Sequence, residues 1–397
     1  MFEGEDTLDN VFDRATKGNK ILRNQLILSS EYIPQKLPFR ERQIISIGES
    51  LAPILNGSKC SNLLLYGKTG TGKTVVARYV TEKLSERARA NLKIRLAYSN
   101  TRMSNTAYRI LLDLANAVGL DIPFTGLSIA EVLQRIINII SKNNYFVVFV
   151  LDEIDYFVKT YDDNLLYDLI RSVDKFSPGF LAIIGISNDL NFKEYLNPRV
   201  LSSLSEEEVV FPPYTAEEIK SILEQRATLA FEDGTISPAA INLCSALAGS
   251  EHGDARRAVD LLRIAAEVAE REGANILEEK HIRSALQRIE RDRIYDALTS
   301  LPLQAKVLLV SIMNSNNNCT TGDIYGYYRS ICEKVGIDCL TQRRVSSLLS
   351  ELDLLGLISA SVVSHGRYGR TKKITNSTSS QVIKEVFTED PILSILF

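Results

Sequence analysis

Short apolar runs alternate with segments of helical periodicity through the first half of the chain. The runs that predict strands are 62–66, 93–99, 145–151 and 180–186. Apolar residues at helical spacing predict helices over 75–84, 101–118 and 129–140, and one from near Arg40 to Leu51. The run 145–151 is apolar throughout, as a parallel strand covered on both faces requires. This order predicts an α/β domain with a parallel sheet.

The second half of the chain begins with helical periodicity alone. Helices are predicted over 216–230, 237–248, 254–272 and 278–289, the first of them opened by a capping box at Thr215. Three further helices, 305–313, 321–335 and 341–352, precede two strands, 357–363 and 370–375. Three helices and a hairpin describe a winged helix. We therefore predict an α/β domain over 1–213, an all-α lid over 214–290 and a winged-helix domain over 291–397.

Residues 1–30 are rich in charge, and we expect them to form a partly mobile arm. Tyr32 and Ile33 follow, just before prolines at 34 and 38 that exclude a continuous helix. Residues 67–74, GKTGTGKT, have the pattern of a phosphate-binding loop, and an apolar and aromatic segment shortly before such a loop is well placed to pack on an adenine base. A plain surface loop is the alternative.

Charge and composition narrow the class of protein. The 397 residues are 45% hydrophobic and 24% charged, with a net charge of −3. Such a chain is not a basic nucleic-acid coat, so a DNA-binding face must be local. The acidic start lacks an apolar leader, and no apolar run approaches the length of a membrane span. We expect a cytoplasmic protein associated with the nucleoid.

Residues 67–74 read GKTGTGKT, directly after the first predicted strand and before a helix. This is the pattern of a phosphate-binding loop of P-loop ATPases, in which backbone N–H groups and a helix N-terminus converge on phosphate. Lys73 would reach the β- and γ-phosphates, and the Thr74 hydroxyl would bind Mg²⁺. The backbone of the loop would contribute through Lys68, Thr69, Gly70, Thr71 and Gly72.

Polar residues end the later strands of the predicted sheet. Asp152 and Glu153 follow the strand 145–151, where Asp152 would hold Mg²⁺ and Glu153 would polarise a water. An N-cap role for Asp152 explains one acid but not both. Asn188 follows the strand 180–186 and would position water, unless it only forms a turn. Arg199 opens a helix, either as a finger for a neighbouring subunit's nucleotide or as a surface charge.

Two further helix starts carry arginines. Gly253, Asp254, Ala255, Arg256 and Arg257 open the third lid helix, so an arginine there can swing over a nucleotide. Between Thr341 and Lys373 there are six basic residues and two acidic ones, a local excess of positive charge. The group proposed to contact DNA is Gln342, Arg343, Arg344, Arg367, Tyr368, Arg370, Lys372 and Lys373. A protein-binding winged helix with a solvated charge cluster is the alternative.

With these motifs in place, the chain resembles an AAA+ ATPase of the archaeal origin-recognition and cell-division-control initiator family over essentially its full length. The lid motif at 253–256 followed by a winged helix is the most selective part of the match. The resemblance implies that Asn188 is sensor 1, Arg256 is sensor 2 and Arg199 is a finger that acts on another subunit. It also implies that Tyr214 and Arg226 belong to the nucleotide pocket.

The same resemblance implies an insertion within 101–126 that contacts DNA, with Arg102 and Arg109 as candidates; Tyr108 also fits a buried stripe. It implies ATP or ADP with Mg²⁺ as cofactors and double-stranded origin DNA as a partner. Further implied partners are the minichromosome-maintenance helicase, which the protein would help to load, and paralogous initiator subunits. An ATP-dependent winged-helix transcription regulator is the alternative function. A clamp loader is disfavoured because its C-terminal domain would carry no cationic wing.

Overall fold

The computed structural model describes residues 21–29, 32–88, 93–172, 178–204, 207–250, 253–315, 319–364 and 370–397, with the backbone alone at 362–364 and 370–371. The chain divides into two compact units, one up to Ile282 and one from Arg283 to Phe397. Within the described ranges, no helix combines the length and the apolar character needed to cross a lipid bilayer.

The first unit contains a parallel sheet between two layers of helices. Its strands are β1 (Leu63–Tyr66), β2 (Lys93–Asn100), β3 (Tyr145–Asp152), β4 (Phe180–Ser187) and β5 (Glu207–Val210). Its α/β helices are α1 (Glu41–Leu51), α2 (Lys73–Glu86), α3 (Thr101–Ser104), α4 (Ala107–Ala117), α5 (Ile129–Asn143), α6 (Ile154–Thr160), α7 (Asn164–Ser172) and α8 (Pro198–Leu204). Short 3₁₀ helices lie at Gln25–Leu28, Ala52–Asn56 and Phe192–Tyr195.

In the described part of the chain this sheet has five parallel strands in the order β2-β3-β4-β1-β5. Every residue of β4 is buried, and so is every residue of β3 except the first. Their side chains enter two apolar clusters, one on each face of the sheet. The loop after β1 therefore lies at the carboxyl edge beside the end of β4, with the end of β3 one strand further along. Open α/β sheets bind their ligands at this edge.

A small helical bundle completes the first unit, formed by α9 (Ala216–Ala230), α10 (Pro238–Ser250) and α11 (Ala255–Arg271). The predicted capping box is present, since Thr215 and Glu218 each accept a hydrogen bond from the other's backbone N–H. The next helix, α12 (Glu279–Ser300), continues beyond the end of the unit. It is longer than the predicted 278–289 and runs across the domain boundary expected at 290.

Residues 21–29, here called the N-terminal segment, pack against this bundle. Ile21 and Leu28 are completely buried. The backbone N–H groups of Ile21 and Leu22 both donate to the carboxylate of Glu270, each over 3.0 Å. The expectation of a mobile arm is wrong for these residues, because burial and hydrogen bonds hold them in place. Residues 1–20 and 30 lie outside the described ranges.

The second unit contains α13 (Leu303–Met313), α14 (Thr321–Val335), α15 (Gln342–Leu354) and α16 (Ser380–Thr388). Strands β6 (Cys319–Thr320), β7 (Ile358–Ser364) and β8 (Arg370–Asn376) form an antiparallel sheet in the order β6-β8-β7. The rings of Tyr328 and Phe387 are fully buried in the core between helices and sheet. Three helices followed by a two-stranded hairpin confirm the predicted winged helix.

The α/β part differs from the sequence-based expectation at two places. The helix predicted over 101–118 is wrong, because Asn105 adopts a left-handed conformation with φ 51° and ends α3. Thr106 then caps α4 by accepting a hydrogen bond from the N–H of Arg109. Strand β5 was not predicted. Its four residues alternate between the sheet core and solvent, too short a pattern to distinguish from a loop.

Candidate nucleotide pocket and nucleic-acid interface

The loop between β1 and α2 depends on two glycines. Gly70 and Gly72 have φ angles of 69° and 93°, a region that residues with side chains rarely adopt. A Cβ at Gly70 would lie 1.7 Å from a carboxylate oxygen of Asp254, and one at Gly72 would lie 2.8 Å from the Tyr214 hydroxyl. The glycines thus supply both the backbone conformation and the space in which the lid approaches the loop.

Lys73 begins α2 beneath this loop and is almost completely buried. Its Nζ donates to the carbonyl oxygens of Gly67 at 2.8 Å and Lys68 at 2.7 Å. Burial lowers the pKa of Lys73 to about 8, although Asp152 and Asp155 oppose the shift. Among the described residues its hydrogen-bond acceptors are these two carbonyl oxygens, and a buried ammonium with neutral acceptors is ready to pair with an anion.

Thr74 and Asp152 meet next to Lys73, as the strand order requires. The Thr74 hydroxyl donates to Asp152 Oδ2 over 2.7 Å, and the Tyr98 hydroxyl donates to the same oxygen over 2.9 Å. Burial and this contact raise the pKa of Tyr98 to about 12, so it remains a donor. Among the described residues Asp152 has no ion-pair partner although it is buried. A hydroxyl and an unpaired carboxylate are suitable oxygen ligands for Mg²⁺.

Glu153 occupies a strained position directly after β3. Its φ is 56°, which is uncommon for a residue other than glycine. Asn100 Nδ2 donates to its carboxylate over 3.3 Å, and Arg102 Nη1 lies 3.8 Å away. The Thr101 hydroxyl donates to the carbonyl oxygens of Asp152 and Glu153. The end of β2 and the start of α3 therefore hold Glu153 at the pocket.

Asn188 also reaches the pocket from the end of β4. Its backbone N–H donates to Asp155 Oδ1 over 3.0 Å, which fixes the turn after the strand. Because Asp155 lies on α6, the hydrogen bond links the ends of β3 and β4. The structure thus brings Lys73, Asp152, Glu153 and Asn188 together at one edge of the sheet.

The opposite wall of the pocket comes from the lid and the segment before α1. Tyr32 and Ile33 line a cavity of about 480 Å³ together with Tyr214, Arg226 and Arg256 of the lid part, a volume within the usual range for small-molecule sites. The Arg226 guanidinium lies 4.6 Å from the centre of the Tyr32 ring, and its Nη2 donates to the Tyr32 carbonyl over 3.3 Å. The segment and the lid are therefore in contact and together form one wall of the cavity, against which a base could pack.

The remaining first-unit candidates lie at different distances from the pocket. Arg102 reaches it, since its side chain lines the cavity and pairs with Glu153. Arg109 is exposed on α4. Arg199 is exposed at the start of α8 and does not line the cavity. It lies beside Tyr167, whose pKa is lowered mainly by Arg171 and further by Arg199.

The candidates for DNA contact in the second unit cluster on α15 and the hairpin. Gln342, Arg343 and Arg344 are exposed in the first turn of α15, which Thr341 caps. Lys372 donates to the Ser350 hydroxyl over 2.7 Å, and Lys373 is exposed on β8. Only the backbone of Arg370 is described, as part of β8. Arg367 and Tyr368 lie outside the described residues.

Comparisons with known proteins agree along the whole chain. Family models match an AAA domain over residues 56–190, a Cdc6 AAA+ ATPase-type lid domain over 220–287 and a Cdc6 C-terminal winged helix domain over 296–386. An ORC1-type DNA replication protein from Pyrococcus abyssi is 46% identical over 409 residues, which cover 100% of this chain and 98% of the relative. The chain belongs to the ORC1-type DNA replication protein family. A relative of the same name from Thermococcus kodakarensis is 44% identical over 98% of this chain and 97% of its own.

Solved structures of ORC1-type and Cdc6 proteins share the fold. The Aeropyrum pernix ORC1 protein, solved in complex with DNA, is 43% identical, with a TM-score of 0.83 over 96% of this chain and 100% of that one. Cdc6p from Pyrobaculum aerophilum is 22% identical with a TM-score of 0.62, over 93% of this chain and 99% of that one. The predicted family, AAA+ fold, lid and winged helix are therefore confirmed.

Several residues of the ORC1-type pocket were not identified from the sequence. Tyr98 and Asn100 lie at the end of β2, where the same rule that identified Asp152 would have found them. Asp155 lies two positions after Glu153 in the sequence, and no function was predicted for it. Arg40 precedes α1 and donates to the carbonyl of Thr71 in the phosphate-binding loop. Nothing in the local sequence distinguishes Arg40 from a surface arginine.

Proposed function

We propose that this chain is a DNA replication initiator that binds origin duplex DNA and uses ATP or ADP as a conformational switch. One observation carries the proposal: the loop lysine, a buried carboxylate and the lid arginines converge on one cavity between the α/β part and the lid. A nucleotide in that cavity would contact both parts at once. Nucleotide state and lid angle would then be coupled.

The phosphates would bind the backbone of Lys68, Thr69, Gly70, Thr71 and Gly72, with Lys73 at the β- and γ-phosphates. Arg256 would approach the phosphates from the lid, as sensor 2. Its position at the start of α11, where it opposes the protonation of Lys73, supports this role. The base would pack against the cavity wall formed by Tyr32, Ile33, Tyr214 and Arg226.

Thr74 and Asp152 fit Mg²⁺, because their oxygens lie 2.7 Å apart and the carboxylate is not ion-paired within the described residues. Bound there, the ion would neutralise phosphate charge. Glu153 would orient a water and Asn188 would fix its position. Hydrolysis would be slow in an isolated subunit, because Arg199 is remote from its own pocket and would act on a neighbour's nucleotide.

DNA would be bound mainly by the winged helix. The ORC1 protein of Aeropyrum pernix was solved with DNA, and the strong likeness to it supports duplex binding by this chain. Gln342, Arg343 and Arg344 begin α15, the position from which recognition helices reach base edges. Arg370, Lys372 and Lys373 would hold the backbone, with Arg367 and Tyr368 between the two hairpin strands. Arg102 and Arg109 would add a contact from the α/β part.

We further propose that the protein helps to recruit or load the minichromosome-maintenance helicase at origins, together with paralogous initiator subunits. The division into domains at 1–213, 214–290 and 291–397 belongs to the same proposal.

The test combines a nucleotide-binding assay with DNA footprinting. Purified full-length protein is titrated with fluorescent ADP and then footprinted across candidate origins of its own genome, with and without ATP. We expect protection at a few origin sites and a nucleotide-dependent footprint. Lys73→Ala should abolish nucleotide binding, whereas Lys142→Ala, at an exposed lysine, should not. Protection spread over many promoters, or nucleotide binding that survives Lys73→Ala, would refute the proposal.

A further inference from the structure

Arg40 is a buried arginine whose contacts join three separate parts of the chain. It precedes α1 and is 2% exposed. Its Nε donates to the carbonyl of Thr71 over 2.9 Å, and its Nη2 donates to the carbonyl of Pro212 over 2.7 Å. Its Nη1 donates to the carbonyl of Phe39 over 2.9 Å. A single planar group thus fixes three backbone positions that are distant in sequence.

An aromatic ring covers the same guanidinium. Its central carbon lies 3.6 Å from the centre of the Tyr214 ring, close enough for a strong cation–π contact. Burial lowers the pKa of Arg40, and in the described ranges no carboxylate forms an ion pair with it. Its direct hydrogen-bond acceptors are neutral carbonyl groups, and Glu218 and Glu41 act on it only at longer range, so burying this charge costs free energy that an apolar side chain would avoid. Stability alone therefore does not explain this arrangement.

Two of the three carbonyl acceptors, those of Thr71 and Pro212, belong to parts of the protein with different structural roles. Thr71 lies within the phosphate-binding loop, where its backbone moves with the loop. Pro212 and Tyr214 lie in the connection between β5 and the first lid helix, α9. The chain passes from the α/β part into the lid through this connection, residues 211–215, which is here called the hinge. Arg40 consequently links the part that would bind phosphate to the part about which the lid would turn.

Contacts around Gly72 and Gly253 tighten this link. A Cβ at Gly72 would lie 2.8 Å from the Tyr214 hydroxyl and 3.8 Å from Arg40 Nε, so loop, ring and guanidinium meet at one point. The N–H of Tyr214 donates to the carbonyl of Gly253 over 3.3 Å. Just beyond, the N–H of Ala255 donates to the carbonyl of Gly70 over 3.2 Å. The start of α11 is thus tied both to the hinge and to the loop.

The backbone before Arg40 supports the same role. Phe39 has a φ of 65°, in the left-handed region that a phenylalanine rarely adopts. Its ring is partly exposed, so apolar burial alone does not account for the conformation. The turn at Phe39 presents its carbonyl to the Arg40 side chain, which closes the set of three acceptors.

We propose that Arg40 is a positioning residue that transmits the conformation of the phosphate-binding loop to the lid hinge. Phosphates that fix the Thr71 carbonyl would fix the guanidinium, and the guanidinium would fix Pro212 and Tyr214. This inference rests on the proposed nucleotide switch and adds the residue through which that switch acts. Arg40 touches no reacting atom in this role.

The test measures lid position and nucleotide affinity separately. Two exposed residues, Lys142 on the α/β part and Arg271 at the end of the lid helix α11, are each replaced with a noncanonical amino acid. A spin label is then attached to each of these amino acids. Distances between the labels are recorded in full-length protein with and without saturating ADP and Mg²⁺. Fluorescent ADP gives the affinity, and thermal unfolding checks the fold. The variants are Arg40→Lys and Arg40→Gln, with Arg42→Lys as the matched control, since Arg42 is an exposed arginine in the first turn of α1.

In the wild type and in Arg42→Lys, we expect ADP to narrow the distribution of distances. In Arg40→Lys, which keeps the charge but not the three-way fork, affinity should fall about tenfold, the equivalent of about one lost hydrogen bond. At saturating concentration ADP should still bind to Arg40→Lys, but the distribution of distances between the two labels should not narrow. Arg40→Gln should behave in the same way, because it also loses the fork.

Two results would overturn the inference. The first is full narrowing in both Arg40 variants at saturating ADP, even if their melting temperatures fall, since that outcome leaves Arg40 a structural role only. The second is a wild type that binds ADP without any change in distance. A wild type that binds no nucleotide would instead refute the proposed function, so the two failures are distinguishable.

Discussion

Replacing Lys73 with methionine should change how the stability of the nucleotide-free protein depends on pH. The pKa of Lys73 falls from 10.5 to about 8 because the ammonium is buried. Between these two values the unfolded chain binds more protons than the folded chain, so the free energy of unfolding rises with pH. Below the lower value Lys73 is charged in both states, and its contribution is constant.

The magnitude follows from the size of the pKa change. Each unit of pKa corresponds to about 1.4 kcal/mol, so the folded wild type should gain up to about 3 kcal/mol relative to Lys73→Met across this window. Urea unfolding of both proteins at several pH values from 7 to 10 measures the difference, and the titration of tyrosines and cysteines cancels. Lys142→Met, at an exposed lysine, should show no such trend.

Nucleotide binding supplies an independent measurement of the same charge. Phosphate would hold Lys73 protonated, so the dissociation constant of ADP should rise about tenfold for each pH unit above the pKa of the free protein. A stability difference between wild type and Lys73→Met that is flat with pH would refute the reasoning. So would an affinity for ADP that is constant from neutral to alkaline pH.

Four further substitutions probe other contacts. Gly72→Ala should destabilise the protein by about 1–3 kcal/mol in urea unfolding, through its left-handed φ and the Tyr214 hydroxyl. Tyr98→Phe should reduce the Mg²⁺-dependent part of ADP affinity about tenfold, because Asp152 loses an orienting hydrogen bond. Arg344→Ala should cost ~1–3 kcal/mol in binding to origin DNA and relax sequence preference. Lys372→Ala should weaken binding to all DNA duplexes alike, and it should reduce by about one the slope of the logarithm of the binding constant against the logarithm of the salt concentration.

Each of these predictions has its own counter-result. Gly273→Ala is the control for Gly72, because Gly273 has a φ of 69° but open space around it; equal losses for both would exclude the contact with Tyr214. For Tyr98→Phe, an equal loss of affinity with Mg²⁺ and with a chelator would count against an effect on the metal site. For the winged helix, equal losses on origin and random DNA in both variants would remove base readout from α15.

Patterns that are local in sequence predicted most of the fold. The apolar run at 145–151 could only be a strand buried on both faces, and the glycines before Lys73 require the turn that the structure contains. Asp152 and Asn188 could be placed together because parallel strands end at one edge. Helix 101–118 was predicted as one element because no glycine or proline interrupts the sequence before Gly119. The break there depends on a single left-handed residue.

Contacts between distant segments could not be predicted in this way. Arg40 receives its role from Thr71 and Pro212, which lie 31 and 172 positions away. Arg102 was assigned to DNA, and its pairing with Glu153 depends on the neighbouring strands β2 and β3. A single sequence gives the chemistry of such residues but not their partners.

The N-terminal segment also has a consequence for synthesis on the ribosome. The N–H of Ile21 bonds to Glu270, a partner 249 positions later. At translation rates of roughly 5–20 residues per second, Ile21 would wait roughly 12–50 s for Glu270 to be synthesised. The nascent chain therefore has to shield an apolar stretch during that interval, and the wall of the cavity that contains Tyr32 closes only after the lid has emerged.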